Sequence, residues 1–253
     1  MESSAATPTQ ALYGQLEAAF NFFNERLFDG QLPPCLITLR SATGVYGYHH
    51  AGRFVSPQGQ TVDELGMHPG FFGLQPVEAV MSTLVHEMVH HWQQHFGQPS
   101  PSNPHNRQWA DKMLAIGLHP SHTGLPGGKS TGRSMSDYIV PNGAFIHACR
   151  DWVSQGFALT WMDRKAATQP EKVQALQSAL KEAGVVLELS PPPVEALPPT
   201  LNEKPTVWEP PPKAEPTRFK HMCPKCQQAA WANKTASLLC GGCGVAMNIS
   251  NAA

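Results

Sequence analysis

His86-Glu87-Met88-Val89-His90 sets two imidazoles four residues apart with a carboxylate between them. On a helix of 3.6 residues per turn the two rings stack on one face and reach the same ion, with Glu87 beside them. A catalytic zinc takes three protein ligands and keeps one position for water, while the adjoining carboxylate accepts that water's proton and returns it to a leaving amine. A structural site has no use for Glu87. The third ligand is not a nearby downstream Glu, because none occurs between Glu87 and Glu171. Gln93 and Phe96 stand where an extended motif would need Gly and His three and six residues past His90. His91 and His95 are displaced round the helix from the first pair and read as flanking histidines. His105 is better placed, in the first turn of the next helix after Asn103-Pro104, with Trp109 four residues on to pack that helix inward. His119, His122 and the acidic Asp111 remain alternatives.

A second pattern lies near the C-terminus. Cys223, Cys226, Cys240 and Cys243 form C-x2-C-x13-C-x2-C, the spacing of two knuckles closing a four-sulfur zinc site with no open position. Gly241, Gly242 and Gly244 suit the second turn. Cys35 and Cys149 sit in apolar settings as free buried thiols, which together with the paired motif indicates a reducing compartment. From Pro211 onward five basic residues (Lys213, Arg218, Lys220, Lys225, Lys234) face one Glu, a local excess of about +2 once four thiolates hold Zn²⁺. Phe219, His221 and Trp231 lie among them. Lys220, Lys225, Trp231 and Lys234 are therefore the candidate nucleic-acid contacts, through phosphate neutralisation and base stacking. The run Gly124 to Lys129-Ser130 imitates a phosphate-binding loop, but Thr123 stands where that pattern needs Gly, and a plain loop is expected. Lys129 and Arg133 on it are within reach of a substrate or phosphate role that the spacing does not specify.

The elements that position these residues follow from periodicity. Leu12, Leu16, Ala19, Phe20, Phe23 and Leu27 predict a first helix ending before Gly30. CLITL, VYGYHHAGRFVS and TVDELGM, punctuated by Gly44, Pro57 and Gly59, predict a three-stranded antiparallel meander. Apolar residues from Val77 to Phe96 repeat at three, four, seven and eight, predicting a long buried helix that carries the His-Glu-His motif from Pro76 to Gly97. Beyond a Gly/Ser loop at 121–136, DYIV, AFIHAC and FALTW read as short strands and 170–183 as a helix, and VVLEL closes the ordered part. Ten prolines in residues 190–216 predict a stiff extended linker.

The segments NERLFDGQLP, GRF, DELGMHP, LVHEMVHHWQ and PHNRQW, in this order and spacing, resemble the SprT-like metallopeptidase family, which includes bacterial SprT and the eukaryotic Spartan protease. The resemblance covers roughly residues 10–120. It implies a compact zincin domain with His86, His90 and His105 as zinc ligands and Glu87 as the catalytic acid/base. It also implies action on DNA-bound or DNA-crosslinked proteins, since zinc modules that bind DNA accompany the protease in the Spartan branch. One residue departs from the family: Asn106 stands where Gly commonly follows the third His.

The expected fold class is α+β, a zincin-like domain of helices on a small antiparallel sheet, with a Pro-rich linker and a zinc ribbon. The expected organisation is a metallopeptidase domain at 1–120, an extension at 121–189, the linker at 190–216 and the ribbon at 217–253. The expected cofactors are two Zn²⁺, one catalytic and one structural, and the expected partners are protein substrates and DNA, single strands preferred. With 18 Lys+Arg against 19 Asp+Glu, the net charge of −1 excludes a strongly basic whole-chain affinity for nucleic acid. No apolar run reaches the length of a membrane span, and MESSAATPTQ has neither a basic nor an apolar leader region, which points to the cytoplasm. The reading from another class is a nucleic-acid-associated, transcription-related zinc protein without proteolytic activity.

Overall fold

Thr7 and Gln10 open the first helix with a capping box. The Thr7 hydroxyl accepts from the Gln10 N–H at 3.4 Å, and the Gln10 side chain accepts the Thr7 N–H at 3.0 Å. This helix, α1 (Pro8–Leu27), buries Leu16, Ala19, Phe20 and Phe23 along one stripe. Asn24, also buried, exchanges two hydrogen bonds with the backbone of Leu32 and fixes the exit of the chain. The computed structural model describes residues 6–41, 45–163, 170–191 and 218–249. Gly44 and the proline-rich linker from residue 192 on lie outside the described residues. The chain divides into two units, Met1–Asn202 and Glu203–Ala253.

The three expected strands are present as β1 (Leu36–Leu39), β2 (Gly47–Val55) and β3 (Thr61–Met67), but they do not form an antiparallel meander. Their order is β1-β3-β2, with β1 parallel and β2 antiparallel to β3. The reason is burial. Every residue of β3 from Asp63 to Met67 is buried, so this strand takes the centre and the more exposed β2 becomes an edge. A tight turn closed by Ser56 N–H to Gln60 O at 2.8 Å joins β2 to β3. The register pairs Gly47 with Met67 and His49 with Leu65. Since side chains alternate faces, Gly47 and His49 lie on the same side as Asp63, Leu65 and Met67. That side receives the long helix α2 (Val77–Phe96), which packs on both β2 and β3. Most of α2 is buried, and the core lies between α2, the sheet, helix α1 and a later helix at Ala144–Ser154.

Helix α3 (Arg107–Ala115) begins later than expected. Asn106, rather than Asn103, is its N-cap, with its side chain accepting from Trp109 N–H at 3.1 Å. Gly117 ends the turn with φ +86°, and a Cβ there would lie 2.8 Å from the Ala144 nitrogen. Past Gly117 runs an unexpected strand, β4 (Leu118–Ser121), antiparallel to β5 (Ser136–Ile139), which is the expected DYIV strand. The Gly124–Ser130 run is thus part of a hairpin connection, not a turn between strand and helix.

AFIHAC is not a strand. It opens helix α4 (Ala144–Ser154), whose Phe145, Ile146 and Cys149 recur at i, i+1 and i+4 on one buried stripe. FALTW forms no strand, although its Leu159 is buried in the core, against which Leu187 and Leu189 of VVLEL also pack. Helix α5 (Pro170–Glu182) matches its expected position. Cys35 and Cys149 are free, and burial pushes both thiols up to about 12, which leaves them protonated.

In the second unit β6 (Phe219–Met222) pairs antiparallel with β7 (Ala229–Ala232) and β8 (Asn248–Ile249). No helix among the described residues is long and apolar enough to cross a membrane.

Candidate active site

The central turns of α2 place His86 and His90 one above the other, their ring centroids 5.3 Å apart. His105 comes to them from outside any helix. It precedes the Asn106 cap and bridges to Gly132, not in the first turn of α3 as its spacing suggested. One ligating atom from each of His86, His90 and His105 lies within 4.8 Å of the others. The fully buried Trp109 is the common floor, with its ring centroid 4.9, 5.2 and 4.5 Å from those of His86, His90 and His105. Asn106 holds an extended conformation (φ −76°, ψ −177°) open to any residue, so the site does not need Gly at this position.

The outer nitrogens of two rings are already committed. His86 Nδ1 donates to Asp137 Oδ1 at 2.9 Å and His105 Nδ1 donates to the Gly132 carbonyl at 3.1 Å. Both Nε2 lone pairs are therefore free to ligate, the arrangement that carboxylate and carbonyl partners give to metal-binding histidines. Burial, then the neighbouring imidazoles, drives His90 well below its usual range, and burial lowers His105 to about 4, so both rings stay neutral. For His86 burial works downward, but the hydrogen bond to Asp137 and the Glu87 and Asp137 charges outweigh it and raise the group. Oriented imidazoles in a buried pocket, two of them held neutral, fit a borderline divalent cation such as zinc.

Glu87 is buried beside this cluster. Burial pushes its carboxyl up to about 7, opposed by His86 and assisted by Asp137. Edge strand β2 passes close by at Gly47, where a Cβ would stand 3.0 Å from Glu87 Oε1 and 2.9 Å from the Thr83 methyl.

The other candidates for third ligand are elsewhere. Asp111 is half exposed and paired with Arg107 at 2.8 Å. His119 stacks on Tyr138, and His122 accepts the Lys129 N–H at 2.9 Å. Lys129 and Arg133 lie on the connection whose Gly132 carbonyl holds His105. Asp137 and Gly47 had no role in the sequence reading. Asp137 is 51 residues from His86, and its one local signal is a carboxylate on the same strand face as the buried Ile139.

The four cysteines of the second unit converge, one sulfur from each within 4.8 Å of the others. Each Cys-x-x-Cys turn ends in a residue at positive φ, Gln227 (60°) after the first and Gly244 (65°) after the second. Gly244 therefore has a conformational reason to be glycine. Nothing lies within 4 Å of a Cβ built at Gly241 or Gly242, neither of which is at positive φ, so the second turn does not require them. Backbone N–H groups of Cys226 and Lys225 hold the Cys223 thiol down to about 6, against its desolvation. Trp231 is 61% exposed and sits opposite Lys220, whose ammonium is 6.0 Å from its ring centroid. Lys234 lies 5.8 Å over Phe219, and Lys225 is exposed on the first turn. His221 is buried and faces inward, so it does not belong to an exposed aromatic surface.

The sequence profile of the SprT-like family matches residues 16–127, which contain the His86, Glu87, His90 and His105 cluster. An uncharacterized protein of the mucB 3' region of Salmonella typhimurium is 51% identical over 59 residues, 23% of this chain and 80% of that protein. The chain belongs to the SprT-like family. No solved structure gives a significant match. The SprT-like assignment brings with it a metallopeptidase-like domain.

In this SprT-like chain Gly47→Ala is expected to push the Glu87 carboxylate aside and lower kcat about 10–100-fold, the scale of a misplacement near one ångström. KM should change much less. Steady-state kinetics on an unfolded protein substrate would separate the two constants; an equal rise in KM with kcat unchanged would contradict the close approach as the cause.

Proposed function

We infer that the chain is a zinc-dependent endopeptidase acting on proteins bound or crosslinked to DNA. The observation that carries this reading is the buried carboxylate of Glu87 next to three converging imidazoles, two of which, His86 and His105, have Nε2 left free by the partner on Nδ1. His86, His90 and His105 would hold the zinc. When bound, it supplies Lewis acidity to a scissile carbonyl and acidifies water. Glu87 takes a proton at its carboxylate and delivers it to the leaving amine nitrogen, a transfer suited to a carboxyl raised to about 7. Asp137 and Gly132 keep the His86 and His105 rings from rotating. The open edge of β2 offers backbone donors and acceptors to an extended substrate, which would add as a strand next to Glu87. Trp109 and the surrounding apolar side chains exclude bulk water from behind the imidazoles.

The four cysteines would hold a second, structural zinc, and Lys220, Lys225, Trp231 and Lys234 would contact DNA. The exposed Trp231 ring beside an ammonium supports stacking on single-stranded bases. Trp231→Ala is expected to weaken binding to a single-stranded oligonucleotide about 10-fold, within the ~1–3 kcal/mol of one base stack. Fluorescence anisotropy at two salt concentrations would measure it, and unchanged affinity would remove the ribbon from DNA recognition. The whole reading is tested by cleavage of a DNA-bound protein with and without DNA. Fragments formed by the parent and absent with His105→Ala support it. An inactive parent that still binds DNA favours the non-proteolytic alternative.

A further inference from the structure

The helix that carries His86 and His90 carries a second pair at the same spacing, His91 and His95, on a different face. Their ring centroids are 4.7 Å apart. Beneath them lies Asp63 of β3, on the sheet face turned toward α2, with His49 of β2 next to it. Three imidazole nitrogens converge on the same carboxylate oxygen. His49 Nε2 is 2.8 Å, His91 Nδ1 2.8 Å and His95 Nε2 3.1 Å from Asp63 Oδ2. The other oxygen, Oδ1, accepts only the Gly52 N–H among these contacts, at 2.8 Å. His91 is fully buried and Asp63 and His49 nearly so, while His95 lies at the rim.

Hydrogen-bond chemistry makes this convergence unusual. The Pro33 carbonyl, 2.9 Å from His91 Nε2, can only accept, so Nε2 carries the hydrogen. In a neutral ring Nδ1 is then a lone pair facing a carboxylate oxygen at 2.8 Å, a contact of two acceptors that needs a cation between them. A carboxylate oxygen has two lone pairs, fewer than the three ring nitrogens aimed at Oδ2. A carbonyl accepting from the distal ring nitrogen is the outer-shell pattern of a metal-ligating histidine, and here the proximal nitrogen faces the carboxylate oxygen on which two further imidazoles converge. One ligating atom from each of His49, Asp63 and His91 lies within 4.8 Å of the others.

The geometry points to a second cation site in the first unit, formed by His49, Asp63 and His91 with His95 as the fourth donor. Three imidazoles and one carboxylate, without sulfur, suit a borderline divalent ion such as zinc. With four protein donors the site is closed, and its role is to pin edge strand β2 and central strand β3 to α2. Its position is next to the first cluster, because the His49 ring lies 6.4 Å from that of His90, nearly parallel. The site does not depend on the peptidase reading.

Native mass spectrometry of the full chain loaded with zinc alone, then dialysed, counts the ions. The expected result is three per chain. His105→Ala and Asp63→Asn should each lose one, and the double variant two, which keeps failure of this site distinguishable from failure of the first cluster. Asparagine preserves the shape of Asp63, and His49→Gln on the edge strand is a second variant expected to lose the same ion. Circular dichroism checks that each remains folded. An ion count that is the same in the parent, Asp63→Asn and His49→Gln overturns the proposal, whether the parent holds two ions or three. The cluster is then a proton-bridged network.

Discussion

Glu87→Gln is expected to lower peptide-bond cleavage about 10²–10⁴-fold, the range attributed to a positioned general acid/base. Zinc content should stay that of the parent, because Glu87 is not among the three imidazoles that would hold the ion. The amide keeps the size of the carboxylate and packs in the same buried space beside Gly47, so the fold should survive. What it lacks is a basic oxygen. Burial has already moved the Glu87 carboxyl to about 7, where it can both accept and release a proton near neutrality. Fragment accumulation from an unfolded protein substrate, followed by chromatography beside a metal assay, would measure both quantities. A variant as active as the parent would take Glu87 out of the chemistry.

Cys223→Ser is expected to unfold the four-cysteine module. Its strands are two to four residues long, and its apolar interior is too small to offset the entropy of ordering the chain. The structural ion must supply that difference, with apparent binding free energies of about 10–16 kcal/mol for such sites. Amide resonances of Phe219–Ile249 should collapse to the narrow dispersion of an unfolded segment, and a chelator should do the same to the parent. Retained dispersion in the metal-free chain would show that the strands hold without metal.

The parts of this site that were legible in the sequence are those set by local spacing. Two histidines four apart on a helix share a face whatever surrounds them, and two Cys-x-x-Cys turns have few other uses. α2 itself was legible because its apolar residues keep one period for twenty positions. The strand order was not, because β1 pairs with β3 only after the chain has run through β2, a long-range choice made by burial of Asp63–Met67. AFIHAC is ambiguous in sequence because six residues are too few to separate a buried helix from a strand. Asp137 and Gly132 could not be anticipated as partners of His86 and His105, since the β4–β5 hairpin that delivers them is a tertiary arrangement. His91 and His95 read as flanking residues from spacing alone because they miss the first cluster. Their own i,i+4 spacing was the available signal, and it gained meaning only with Asp63 beneath them.

The central claim is that His86, His90 and His105 hold a metal through Nε2 next to Glu87. Anomalous diffraction at the zinc edge from crystals of the zinc-loaded full chain tests it most directly. The account predicts a peak within bonding distance of the three Nε2 atoms, with the Glu87 carboxylate adjacent but not bonded to it. A peak at the four cysteines with none at the three histidines, or a peak ligated by Glu87 in place of His105, would contradict it.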